Sequence, residues 1–319
     1  MGKTNNNTND KIIEKYKNGK KKNKKRKTKK NRKSHKKKSK TYKKLKCSPK
    51  NGEALPYSCY TSGSLHTLKQ IWNARHEDVK IMSNDPKIIW EELKKYMGSS
   101  CNNEACWLKH QCIKKDIDTS IWDDTFAPKS PETWKKKPNE WLSSVEIEQV
   151  MKQYEKTYKC FEFMGPSPID FEKPMLWGEC VWEELCKFQL KEQIIKGKTK
   201  IGIIFNLDKH TEDGSHWVSM FVDMRKKEIY YFDSYGDRIP KLINDLVRKI
   251  KKQAVELNMK FKSKTVTNRH QYSSSECGMY SLFFIIQLLK DSKNFDDFQN
   301  NKYSDKYMKK LRKIYFNHT

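Results

Sequence analysis

Cys277 stands where a polar run, NRHQYSSSE, gives way to an apolar segment of helical length, CGMYSLFFIIQLL. A cysteine that only fills space behaves as a small hydrophobe and needs no such placement. A nucleophilic one gains from it. A helix N-terminus or a neighbouring imidazolium draws a thiol pKa from ~8.5 into the range of about 3.5–7.5. Attack on a carbonyl then requires a base, a group that orients the base, and donors for the oxyanion. His216, Asp233 and Gln271 have the side chains for those three tasks. Gln271 precedes Cys277 by six positions, so an intervening loop can fold its amide back beside the thiol. There it would join the Cys277 backbone N–H as a second donor.

The His–Asp pair depends on a hairpin. HWVSMFVDM (216–224) and EIYYFDS (228–234) read as two strands joined by a charged turn. With the turn centred between residues 224 and 227, Asp233 falls opposite a residue between 216 and 220. Registers that keep His216 and Asp233 on one face set them directly opposite or diagonally offset by two to four residues. A carboxylate so placed accepts from one imidazole nitrogen, fixing the tautomer and stabilising the imidazolium. Alone, His216 would read as a half-buried strand histidine, Asp233 as a strand-ending turn residue and Cys277 as another buried cysteine. The set carries the reading.

Other elements must hold these residues. KIGIIFNL (200–207) suits a buried strand, a helix is expected around 239–257, and FKSKTVT (261–267) is a further strand. The segment opening at Cys277 is apolar on nearly every side and should be a helix buried in the core. Upstream, WLSSVEIEQVMKQYEKTY (141–158) has a helical apolar stripe, and PKSPETWKKKPNE (128–140) reads as a boundary. Residues 47–127 look helical: Ser64 is a candidate cap for a helix carrying Leu65, Leu68, Ile71 and Trp72, and Asp85-Pro86 opens another. The expected organisation is a polybasic tail over 1–46, a helical lobe over 47–135 and an α+β catalytic domain over 136–319.

Charge separates the tail from the rest. The 319 residues carry a formal +28, of which 22 Lys/Arg against Asp10 and Glu14 place +20 in residues 1–46. That segment has almost no apolar side chains with which to offset its ordering entropy, so disorder is expected. A run this basic binds polyanions at low salt, and its few aromatics argue against sequence-specific or stacking recognition. Nothing in the chain reads as a secretory signal or as an apolar run long enough to span a bilayer, so a soluble protein is expected.

Nine cysteines, scattered and odd in number, fit reduced thiols in a cytosolic setting. CNNEACWLKHQC (101–112) groups Cys101, Cys106, His110 and Cys112, the types that bind zinc. Structural zinc sites instead pair ligands at two- to four-residue gaps across a spacer, so buried thiols are the default there.

Taken together, His216-Trp217, Asp233 seventeen positions on, and Gln271 with five residues before Cys277-Gly278 resemble the ubiquitin-like-protein-specific cysteine proteases. That family includes SUMO proteases, the adenovirus protease and structural-polyprotein proteases of large DNA viruses. Trp141-Leu142 matches the family's Trp-Leu motif, and SDKYMKKLRKIYF (304–316) extends the likeness, which covers about 136–319. Two departures stand out. Ser143-Ser144 replaces the Asn-Asp that follows Trp-Leu in SUMO-type members, and the extra N-terminal lobe is more like the giant-virus members.

The resemblance implies a permuted papain-like fold with His216 as general base, Asp233 as its orienter, Cys277 as nucleophile and Gln271 at the oxyanion hole. It implies that Trp141 and Trp217 flank a narrow tunnel for a Gly-Gly tail, and that neither metal nor organic cofactor is needed. The expected function is endopeptidase cleavage after small residues, maturing viral core or capsid polyproteins in the virion or host cytoplasm. Removal of a ubiquitin-like modifier from host conjugates is the alternative enzyme reading. A DNA-packaging protein with the protease fold as mere scaffold is the alternative of another class. The expected partners are a protein substrate and non-specific nucleic acid, with no membrane contact and a monomeric state.

Overall fold

The computed structural model describes residues 42–49, 55–110 and 120–318, which all belong to one compact unit, Thr41–Thr319. Most of the expected tail, residues 1–41, therefore lies outside the described residues. Leu45 is buried, and the Lys46 backbone is held on both sides by the Asn317 side chain, at 2.7 Å and 2.9 Å.

The upstream lobe is helical, as its periodicity predicts. The helix Ser62–Asn73 begins at Thr61, whose side chain accepts from the Ser64 backbone; Ser64 is not the cap. Asp85 caps Pro86–Met97 with proline in the first turn, as expected. Leu65, Leu68 and Trp72 of the first helix share a core with Ile89, Leu93 and Met97 of the second, closed by Tyr60 stacked on Trp107.

Here the expectation of reduced thiols is overturned. Cys47 is bonded to Cys59, Cys101 to Cys106 and Cys180 to Cys186; Cys160 and Cys277 are the free cysteines among the described residues. Linear scatter does not show which sulfurs the fold brings together. The weak zinc candidate fails with it, because Cys101 and Cys106 ligate each other. Cys112 lies outside the described residues, and no group of three metal-binding side chains gathers among the described ones.

A five-stranded mixed sheet forms the larger half, with its strands in sequence order: β1 Phe161–Pro168, β2 Lys200–Asn206, β3 Trp217–Asp223, β4 Glu228–Phe232 and β5 Lys262–Val266. β1–β2 and β4–β5 are parallel, whereas β2–β3 and β3–β4 are antiparallel. β1 escapes sequence reading because Gly165-Pro166 interrupts it. An edge position tolerates the missing N–H, and the pairing shifts register between Met164 and Ser167.

Alternation along the strands divides two cores. Trp217, Phe221, Tyr230 and Phe232 face one side with Ile204, Phe161 and Phe163. Val218, Met220, Val222, Ile229 and Tyr231 face the other, against the helix Lys241–Glu256. The helix Cys277–Leu289 fills the first core, and every residue in it except Gln287 is buried. Gly202 lets it approach: a Cβ there would lie 2.8 Å from Ile285 Cγ2 and 2.9 Å from the Phe161 ring. The helix Ser144–Thr157 covers the same core behind a capping box between Ser143 and Glu146, so Trp141-Leu142 precede the helix and do not head it.

Candidate active site

The hairpin supplies the first contact. Its register pairs Ser219 with Phe232, and one further step sets Val218 against Asp233, leaving His216 diagonally offset by two residues. His216 Nε2 meets Asp233 Oδ1 at 2.7 Å, both side chains nearly sealed from water. The same carboxylate oxygen accepts the Tyr235 backbone N–H at 2.8 Å, fixing the carboxylate from the turn beyond β4.

Cys277 approaches the imidazole from the helix side. Its thiol lies at the first position of the Cys277–Leu289 helix and is buried. With Nε2 committed to Asp233, the ring presents its other nitrogen to that thiol. Burial disfavours charge on His216, but the hydrogen bonds to Asp233 and then Cys277 more than offset it, so the imidazole pKa is pushed up to about 9. At neutral pH the ring is therefore an imidazolium, the partner a thiolate requires.

Gln271 is wholly buried and held by Ser234. Ser234 Oγ donates to Gln271 Oε1 at 2.6 Å, and the Ser234 carbonyl accepts both the His270 and Gln271 N–H groups. This turns the amide nitrogen away from Ser234. It donates to Ser273 O at 2.6 Å and lies 3.4 Å from the Tyr235 hydroxyl.

The Tyr272–Glu276 loop is fastened from the C-terminal helix Asp305–Tyr315. The Asp305 carboxylate accepts the Tyr272 and Ser273 N–H groups and the Tyr280 hydroxyl. Glu276, adjacent to the cysteine, is buried and ion-paired to Arg312.

The two tryptophans differ. Trp217 is buried, donates its indole N–H to Leu142 O at 2.9 Å, and places Cδ1 3.3 Å from where a Cβ on Gly278 would stand. It therefore packs against the start of the Cys277–Leu289 helix. Trp141 is 41% exposed, one residue before the Leu142 that Trp217 grips. Sequence reasoning missed Ser234, Tyr235, Asp305, Glu276 and Arg312. Only Ser234 and Tyr235, next to Asp233, carried a local signal.

A family model described as YopJ Serine/Threonine acetyltransferase matches residues 182–319. A thiol protease of Acanthamoeba polyphaga mimivirus is 29% identical, with 82% of this chain and 85% of that protein covered. An African swine fever virus protein named SUMO-1 cysteine protease is 28% identical, with 77% and 96% covered. A crystal structure of the African swine fever virus protease shares the fold, with TM-score 0.62, 23% identity, and 86% of this chain and 96% of that one covered.

The chain is a cysteine protease similar to the YopJ-like and SUMO-protease-like proteins. The protease keeps their α+β fold around a mixed sheet. As a cysteine protease it acts on a protein substrate through a thiol. Among the described residues, no helix is long and apolar enough to cross a membrane.

Proposed function

We propose that the protease cleaves polypeptides after Gly-Gly-like sites, using Cys277 as nucleophile. His216 serves as general base and then general acid, and Asp233 orients it. Gln271 and the Cys277 N–H form the oxyanion hole, on a papain-like arrangement permuted to the order His, Asp, Gln, Cys. The single observation that carries this reading is the buried imidazole of His216, bonded to Asp233 on one side and to Cys277 on the other. Acylation breaks the scissile C–N bond as the thiolate sulfur bonds the carbonyl carbon, and the imidazolium gives its proton to the departing amine. Water, deprotonated by the neutral imidazole, then attacks the thioester, releasing the acid and the thiol.

Residues 136–319 are the catalytic domain in this reading, with the helical lobe as an accessory. Trp141 and Trp217 wall the slot that admits the substrate tail, where glycine has no Cβ to collide with an indole. The virus proteases among the relatives favour a viral core or capsid polyprotein as substrate and a place in the virion or host cytoplasm. Nucleic acid held by the basic residues 1–46 and a monomeric state complete the proposal.

Two other readings have specific support. The printed name of the African swine fever virus relative favours removal of a SUMO-like modifier. The matched family description favours transfer of an acetyl group from the same cysteine to a Ser or Thr hydroxyl. Full-length protein incubated with Gly-Gly-X peptides, a viral core polyprotein, SUMO conjugates, and acetyl-coenzyme A with a protein acceptor separates the three. Cleavage of peptides and polyprotein supports the proposal, and acetylated acceptor without cleavage refutes it. Within that set, wild type should cut Gly-Gly over Gly-Val peptides, and Trp141→Ala should slow the first while relaxing the second.

A further inference from the structure

Tyr235 touches three members of the site with three different groups. Its backbone N–H donates to Asp233 Oδ1 at 2.8 Å. Its ring stacks on the His216 imidazole, centroids 4.6 Å apart and planes 16° from parallel. Its hydroxyl lies 3.4 Å from Gln271 Nε2 and 3.5 Å from Ser273 O. We propose that Tyr235 is a positioning residue of the protease reaction, its ring holding the His216 imidazolium in place and its hydroxyl bracing the Gln271 amide. This role rests on the assignment of Cys277 and His216 made above.

The physical basis is the ring quadrupole. An aromatic face is negative, and a cation within about 6 Å of its centroid is attracted, more so where water is excluded. His216 sits within that distance in a buried site, so the ring favours the protonated imidazole that the thiolate needs. The groups facing His216 are the Asp233 carboxylate from the turn after β4, the Cys277 thiol from its helix, and Tyr235 itself. The Arg269 guanidinium lies 5.3 Å from the Tyr235 centroid and 4.9 Å from that of Tyr272, which fixes the tyrosine against the Gln271 loop. Burial, with the Cys277 charge next, pushes the Tyr235 phenol above its ordinary range against the pull of Arg269, so the ring stays neutral while the imidazole titrates.

The hydroxyl has a separate task. The Gln271 amide nitrogen has two hydrogens, one held by Ser273 O, and the longer contact to Tyr235 sets where the other points. An oxyanion donor acts by being aimed before the charge develops. The phenol thus aims it without occupying it tightly.

The test follows carboxymethylation of Cys277 by iodoacetate across pH in the full chain, read at the Cys277 peptide by mass spectrometry. The reagent is anionic, so its rate falls as His216 loses its proton and reports the imidazolium without any substrate. Tyr235→Leu keeps an apolar cover but removes the aromatic face, and the alkaline fall should move down by roughly half to one pH unit. Tyr235→Phe keeps the face and should leave that profile in place, while kcat on a Gly-Gly peptide drops about three- to tenfold with KM little changed. A Leu profile superimposable on wild type would overturn the role of the ring, and a Phe variant with wild-type kcat would overturn that of the hydroxyl. A wild-type profile with no alkaline fall would instead overturn the Cys277–His216 assignment, and the Tyr235 role with it.

Discussion

Arg312 Nε donates to the Glu276 carboxylate at 2.9 Å, with both side chains sealed from solvent, one residue before Cys277. Arg312 also donates to Ser275 O at 3.2 Å, and its guanidinium lies 4.6 Å from the Trp134 ring. The C-terminal helix thereby grips the loop that leads into Cys277 at two successive residues. A lone buried charge is costly, so the pair behaves as a unit.

Glu276→Gln should therefore destabilise the protein by about 3–5 kcal/mol, because Arg312 is left buried without its counter-charge. Glu276→Gln with Arg312→Met should recover much of that loss. Urea unfolding of the two variants checks it, and a single variant as stable as wild type would remove the ion pair from the account.

Two buried histidines make stability fall on both sides of neutrality. His270 donates from Nε2 to Phe298 O and accepts the Tyr303 N–H at Nδ1, so its neutral form is the one that fits. Burial, opposed by the Phe298 bond and helped by Lys302, draws it down to about 4. The unfolded chain takes this proton near pH ~6.5. Stability is therefore lost as pH falls from there through about 4, by on the order of 2–3 kcal/mol. His216 has the opposite sign. With its pKa raised to about 9, its contribution is fully present below ~6.5 and is lost as pH rises through 9. Melting temperatures from pH 4 to 10 should peak between, and His270→Gln should flatten the acid side alone. An unchanged acid side in that variant would contradict the His270 assignment.

How much of this was legible follows from the range of each interaction. The His216–Asp233 contact could be anticipated because strand alternation and a short turn restrict the register of neighbouring strands. The buried helix at Cys277 was legible from its continuous apolar run. β1 was hidden by Gly165-Pro166, which argues against a strand anywhere but an edge. The three disulfides were hidden because cysteine spacing alone does not say which thiols pair, and the grip of Arg312 on Glu276, 36 positions apart, joins segments whose proximity only the packed core decides. Tyr235 carried no sign of its role because its contacts reach Gln271 and Ser273, on a loop far along the chain.

Gly278 is a narrower constraint. A Cβ there would lie 3.0 Å from Leu142 Cβ and 3.3 Å from Trp217 Cδ1, both held in the core. Gly278→Ala should fold but push the Cys277–Leu289 helix off Trp217, lowering kcat/KM by about ten- to a hundredfold. Peptide kinetics beside a thermal melt decide this, and a fully active, stable variant would show that the contact gives way freely.

The central claim is that Cys277, activated by His216, attacks the carbonyl of the second glycine of a Gly-Gly pair. The direct measurement is covalent trapping of full-length protein by a Gly-Gly peptide carrying a C-terminal electrophile, with the modified residue located by mass spectrometry. The prediction is one adduct, on Cys277, absent in Cys277→Ser and slowed by at least a hundredfold in His216→Ala. The matching Gly-Val probe should react far more slowly. An adduct on another cysteine, or equal labelling of Cys277 in the His216→Ala protein, would contradict the mechanism.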